Sequence, residues 1–209
     1  MDEEIKFVEI TDLTDELLLS WLDLYETAFP PNERNLVSYI IQSLVDIEYW
    51  EGRSGIKKTL LAAVNRNEAL LGLAYYDLMP EKETAVLWYL ATWPKERNRG
   101  VGGAIYDHIV SQIDPARYKG LVIEVEIPEL AGSDEQRQLA ARRINFYRRH
   151  GARWLKGIDY KQNVGWHQPL TPMYIMIHPL QAIDARAGLE LAKAAAGGEV
   201  TQSGSLELV

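Results

Sequence analysis

The chain contains no cysteine. That absence removes disulfides, thiolate metal sites and any cysteine nucleophile from the chemistry open to it. Also missing are a run of about 18 apolar residues able to span a bilayer and a charged, apolar, small-residue leader, so a cytoplasmic protein with no membrane partner is the expectation. The 4 histidines, His108, His150, His167 and His178, fall at no metal-ligand spacing and are expected in the core or on the surface, with no metal bound. Bases are scarce beside acids, 22 against 30, for a net charge of −8. That balance argues against nucleic acid as a partner and favours small cations such as amines. No internal repeat is present. What remains is a chain of 209 residues with an apolar share of 47%, enough for one well-filled domain.

Periodicity lays out the elements. Ile5 to Ile10 alternates as a first strand, and Thr11-Asp12-Leu13-Thr14 with Asp15 and Glu16 reads as a helix start with acids in its first turn. Leu18, Trp21, Leu22, Tyr25 and Phe29 follow at helical spacing, and Pro30-Pro31 ends that helix. A second helix carries Leu36, Tyr39, Ile40, Ser43 and Leu44 along one stripe. Lys57 to Val64 and Ala69 to Tyr76 are strand-like runs around Asn65-Arg66-Asn67-Glu68, which marks a hairpin. A third strand, Thr84 to Trp93, is rich in Trp, Tyr, Val and Leu and stops at Pro94. Further on, Leu121, Ile123, Val125 and Ile127 alternate with Val122, Glu124 and Glu126, which puts two carboxylates on one face of a strand. Ser133-Asp134-Glu135 caps a helix that reaches His150 and stops at Gly151. Strands are expected at Ala152 to Tyr160 and Met173 to His178, with Trp166 and His167 in the loop between them. Residues 181–209 are expected to be a helical extension fading into a mobile polar tail.

Between the third strand and the next helix lies Leu90-Ala91-Thr92-Trp93-Pro94-Lys95-Glu96-Arg97-Asn98-Arg99-Gly100-Val101-Gly102-Gly103-Ala104. Its glycines let the backbone turn and approach a ligand closely, and Ile105, Tyr106, Ile109, Val110 and Ile113 continue as an amphipathic helix. A helix N-terminus with bare N–H groups, flanked by Arg97 and Arg99, suits an anion. A dinucleotide site is the poorer reading of this loop, because the Gly-x-Gly-x-x-Gly spacing and alternating strand and helix units are missing. The spacing Arg97-x-x-Gly100-x-Gly102 resembles the pyrophosphate-binding loop of the GNAT superfamily of acyl-coenzyme A dependent N-acyltransferases. A second stretch, Phe146-Tyr147-Arg148-Arg149-His150-Gly151-Ala152, resembles the helix end where that family places Phe-Tyr, three variable residues, Gly and then Phe or Ala. Ala140 and Arg143 depart from the family's pattern, which often has Asn and Ala there. The element order, strand, two helices, three strands, helix, strand, helix, two strands, matches the family's over residues 5–179. The resemblance implies an α/β (α+β) GNAT fold, with a mixed central sheet of about seven strands and flanking helices, in a single domain over residues 1–180.

The resemblance also implies an activity, transfer of an acetyl group from acetyl-coenzyme A to a primary amine by direct attack in a ternary complex. The diphosphate would lie on Asn98, Gly100, Val101, Gly102 and Gly103 with Arg97 and Arg99 adding charge. Pantetheine would run along Leu90, Ala91 and Thr92, and the main chain at Ala91 or Thr92 would face the carbonyl oxygen. An alkylamine with a pKa near 10.4 is almost wholly protonated at pH 7, so a base is required. Glu124 and Glu126 are the candidates, with mutual repulsion raising one pKa; ion pairing with Arg142, Arg143 or Lys119 is the alternative. Tyr147 would protonate the leaving thiolate, its alternative being core packing. Phe29, Glu33, Arg34 and Trp88 would line the acceptor side, and a small amine is favoured over a protein as acceptor. Trp50 and Trp166 would suit a homodimer contact. The competing reading is a coenzyme A-binding sensor or interaction module without catalysis, which would keep Arg97, Gly100 and Gly102 and not depend on Glu124 or Tyr147.

Overall fold

The computed structural model describes residues 4–46, 51–52, 54–165, 168–196 and 200–209. Trp50, Trp166 and His167 lie outside them. The chain forms two compact units, residues 1–79 with 87–113, and residues 80–86 with 114–209.

In the first unit the strands β1 (Lys6–Ile10), β2 (Lys57–Val64), β3 (Leu70–Met79) and β4 (Thr84–Thr92, from Leu87 on) lie side by side in that order. The β2–β3 hairpin closes as its sequence requires: the Asn65 side-chain oxygen accepts from the amides of Asn67 at 2.9 Å and Ala69 at 3.0 Å. Helices α1 (Leu18–Ala28) and α2 (Val37–Val45) bury Trp21, Leu24, Tyr25, Ile40 and Leu44 against Leu60, Ala62, Leu73 and Tyr75. Helix α1 begins at Leu18, with no acid in its first turn, later than the start expected at Thr11 to Glu16. The acids fold turns ahead of the helix instead: Asp12 Oδ1 accepts from the Thr14 amide at 2.7 Å, and Asp15 Oδ1 from the Leu17 amide at 2.9 Å.

Helix α3 (Val101–Gln112) covers the opposite face. A Cβ on Gly72 would come within 2.8 Å of both the Ala91 carbonyl oxygen and Ile105 Cδ1. Glycine is therefore what lets α3 and the end of β4 close on β3. On the same side Phe7 stacks on His108 at 4.0 Å between ring centres.

In the second unit β5 (Gly120–Glu126), β8 (Thr171–Pro179), β6 (Arg153–Asp159) and β9 (Thr201–Leu208) lie in that order, and β7 (Lys161–Gln162) pairs with β8. The β5–β8 register is regular, with Glu124 opposite Ile175 and Glu126 opposite Met173, so both glutamates keep one face. Helix α4 (Asp134–Arg149) is capped by the Ser133 hydroxyl, which accepts from the Gln136 amide at 3.2 Å. It stops at Gly151, whose φ is +93°. Helix α5 (Ala185–Ala196) is the Ala-rich stretch.

The α/β class is the expected one. The described residues contain nine strands rather than about seven, the additions being β7 and β9. The end of the chain, expected as a mobile tail, pairs antiparallel with β6, and main-chain bonds link Trp154 and Val209 in both directions. Its polar sequence hides this because an edge strand is held by its backbone and needs no apolar face. No helix of the described residues is long and apolar enough to cross a membrane.

Candidate functional site

The glycine loop is built by the end of β4. Trp93 donates its amide to the Leu71 carbonyl at 3.1 Å, one residue beyond β4, and a 3₁₀ turn over Pro94–Glu96 then redirects the chain. Asn98, at φ +62°, and Gly100, at φ +84°, both take the left-handed region, which asparagine tolerates and glycine adopts freely. Ala104 donates the first helical bond, to the Gly100 carbonyl at 2.9 Å. The amides of Val101, Gly102 and Gly103 therefore stand outside the α3 ladder, with no side-chain cap on Gly100 and no acid in the first turn. Three donors at the positive end of a helix dipole favour an anion there. Arg97, Asn98 and Arg99 are exposed around them. The buried Glu96 carboxylate pairs with Arg99 at 2.9 Å and ties that side chain to the loop.

Of the candidate acceptor-side residues, Phe29 and Arg34 come together in an aromatic cluster of the first unit. The Phe29 and Tyr25 rings meet Tyr89 at 4.9 and 4.8 Å. The Arg34 guanidinium pairs with Glu26 at 3.1 Å and donates to the Phe29 carbonyl at 3.1 Å. Asn35 fixes the same loop by donating its amide to the Tyr89 hydroxyl at 3.0 Å. Glu33 is half-buried in the turn and donates its amide to the Pro30 carbonyl at 2.9 Å. Trp88 is partly buried against the core that Tyr75 and Tyr89 join, and on β3 the buried Asp77 pairs with Lys58 at 3.4 Å. Burial pushes the Asp77 carboxyl up, while the Lys58 ammonium opposes that shift. Tyr89, the residue after Trp88, stacks on Tyr75 at 6.2 Å.

The two carboxylates of β5 lie in the second unit and have separate fates. Glu124 Oε1 accepts a short hydrogen bond from the Tyr160 hydroxyl, and Oε2 accepts from Gln162 Nε2 at 2.8 Å. Burial raises the Glu124 carboxyl above the ordinary carboxylate range, and these two bonds oppose the shift. The expected cause, repulsion between the two glutamates, is therefore not the one at work. Glu126 is instead ion-paired with Arg143 of α4 through Oε1, while Oε2 is buried with no hydrogen-bond partner. Arg143 thus has a structural use at a position where it departs from the family's pattern.

Tyr147, in the last turn of α4, is 5% exposed. Burial pushes its hydroxyl up to about 12, against the opposing charge of Arg143. Its ring meets Phe146 edge-on at 5.1 Å, and its carbonyl accepts from the Ala152 amide at 3.0 Å, so the Phe-Tyr stretch is built into the helix end.

Sequence reasoning missed Tyr160 and Gln162. They stand 36 and 38 positions from Glu124, and no motif spacing links them to it. Among the described residues no group of three or more His, Cys, Asp or Glu is placed to hold a metal ion.

No protein-family model and no curated protein matches the chain. Solved structures do. A GNAT-family protein from Bacteroides thetaiotaomicron, named as an acetyltransferase, is 25% identical at a TM-score of 0.66, with 92% of this chain and 98% of that one covered. The ribosomal-protein-S18-alanine N-acetyltransferase of Escherichia coli is 15% identical at a TM-score of 0.56, covering 86% and 96%. A GNAT-superfamily phosphinothricin acetyltransferase from Sinorhizobium meliloti, solved with acetyl-coenzyme A, is 15% identical at 0.56, covering 86% and 89%. The fold is that of the GNAT acetyltransferases. The likeness to the Bacteroides protein supports acyl transfer as the general class of chemistry.

Proposed function

We propose that this chain is an N-acetyltransferase that moves an acetyl group from acetyl-coenzyme A to a primary amine by direct attack. The observation that carries the reading is the bare N-terminus of α3, reached through the left-handed Gly100, in a chain with the GNAT fold. Val101, Gly102 and Gly103 would donate to the donor's diphosphate, with Arg97 and Arg99 adding charge. Pantetheine would follow Leu90, Ala91 and Thr92, as the family resemblance implies.

In the reaction the amine nitrogen forms a bond to the thioester carbon, the C–S bond breaks and one amine proton must leave. Glu124 is the proposed base, directly or through water, since a carboxyl raised by burial is a stronger base than an exposed one. Main-chain N–H at Ala91 or Thr92 would meet the charge gathering on the carbonyl oxygen. Tyr147 holds its proton at neutral pH and would give it to the departing thiolate. Glu126 is the weaker candidate for base because it is ion-paired with the Arg143 guanidinium, whereas Glu124 meets only neutral side chains.

The test is free-thiol release from acetyl-coenzyme A over a panel of small primary amines. Release that depends on the amine supports the transferase, and a small cationic acceptor is the one anticipated. Donor binding without release from any amine would favour the sensor reading.

A further inference from the structure

Among the described residues of the second unit, two buried acceptor atoms have no hydrogen-bond partner, Gln162 Oε1 and Glu126 Oε2. A buried acceptor left unpaired costs about 1–3 kcal/mol, so each is expected to meet a donor in some state of the protein. Both lie beside Glu124. Gln162, 9% exposed, spends its Nε2 on Glu124 Oε2 at 2.8 Å, which fixes the amide's orientation. With that nitrogen committed to a carboxylate, which only accepts when ionised, the oxygen at the other end of the amide must be the free one. Glu126 stands two residues along β5 on the face of Glu124, about 7 Å away at strand spacing. Its Oε1 is held by Arg143, so the pair is neutral and Oε2 remains available. Tyr160 closes the remaining side of Glu124 by donating to Oε1.

The charged and titratable groups known to touch this cluster are thus Glu124, Glu126, Arg143 and Tyr160. Ionised Glu124 gives the cluster one net negative charge, and the open atoms are all acceptors. A ligand that fits must bring positive charge and several N–H donors. We propose that Gln162 Oε1 and Glu126 Oε2, together with Glu124, form a subsite for an aliphatic primary ammonium, with Tyr160 as a positioning residue that holds Glu124. This rests on the transferase reading and names the residues that would receive its acceptor.

The experiment is NMR of the side-chain amides of the full chain at pH 8 and constant ionic strength. Methylammonium chloride and tetramethylammonium chloride are titrated separately, and acetyl-coenzyme A binding is measured on the same samples. The Gln162 amide signals should shift saturably with methylammonium and not with tetramethylammonium, which has the charge but no N–H. Gln162→Leu should weaken methylammonium binding about tenfold or more, the worth of one hydrogen bond to a charged group, with acetyl-coenzyme A affinity unchanged. Glu126→Gln should weaken it as well. A Gln162 signal unmoved by methylammonium, or moved equally by both cations, overturns the subsite without needing any variant to fold. If acetyl-coenzyme A fails to bind while the methylammonium shift persists, the transferase reading falls and the subsite stands.

Discussion

Two residues carry opposite demands. Glu124 is buried, accepts from Tyr160 and Gln162, and has its carboxyl raised. A raised carboxyl binds its proton more tightly folded than unfolded. Its contribution to stability is therefore complete below the unfolded pKa and is lost as pH rises through the folded one. Glu124→Gln removes that penalty, and its new amide can donate to the unpartnered Gln162 oxygen. The variant should melt higher than the parent at pH 8, by about 2–4 °C per kcal/mol recovered, with the difference shrinking towards pH 4. Melting curves across that range check it. The same change should lower turnover by roughly 10²-fold or more and abolish the rise in kcat/KM that follows Glu124 ionisation. Unchanged turnover would remove Glu124 from the mechanism.

Tyr147 retains its proton to about 12, so no loss of activity below about pH 11 should trace to it. Tyr147→Phe should reduce turnover by about 10²-fold and leave acetyl-coenzyme A affinity nearly intact in calorimetry. Equal turnover at every pH would leave Tyr147 a packing residue. Of these groups the sequence exposed the alternation of Glu124 and Glu126 and the Phe-Tyr stretch, because both are written in near neighbours. It could not expose Tyr160, Gln162 or the Arg143–Glu126 pair, whose meeting depends on strand order and on where α4 lies.

At the scale of elements, the loop from β4 into α3 was the most legible part. Proline, left-handed glycine and a bare helix start are local devices, and each acts where it is written. Gly102→Val should lower acetyl-coenzyme A affinity at least tenfold by blocking the backbone's approach to the diphosphate. Undiminished affinity in a folded variant would place the donor elsewhere. The strand β9 was illegible for the converse reason, since its partner β6 lies far back in the chain and holds it chiefly by main-chain bonds, with one ion pair between Lys156 and Glu207 at 3.8 Å. Gly157 makes that pairing possible: it sits at φ +81°, and a Cβ there would be 2.2 Å from the Ser205 carbonyl oxygen. Gly157→Ala should therefore detach β9, seen as rapid proteolytic cleavage near residues 201–209 and a melting point lower by several degrees. Resistance equal to the parent's would show that β6 and β9 tolerate the side chain. The start of α1 was misread because Asp12 and Asp15 serve equally well as turn formers and as first-turn acids, and the side-chain bonds decide between those uses.

For the whole molecule, periodicity laid out the order of elements, because most of them announce themselves by spacing, and the resemblance of residues 97–102 and 146–152 tied that order to the GNAT fold. The chemistry is less evenly readable. The proposed donor side is one contiguous stretch, whereas the residues proposed for the acceptor are distant from one another in sequence. The central claim is that this chain binds acetyl-coenzyme A through its glycine loop, and calorimetric titration with acetyl-coenzyme A and, separately, with NAD tests it most directly. The account predicts saturable binding of acetyl-coenzyme A in the micromolar range, none of NAD, and loss of the acetyl-coenzyme A signal in Gly102→Val. Absence of acetyl-coenzyme A binding by the folded parent protein, or equal binding of NAD, would contradict it.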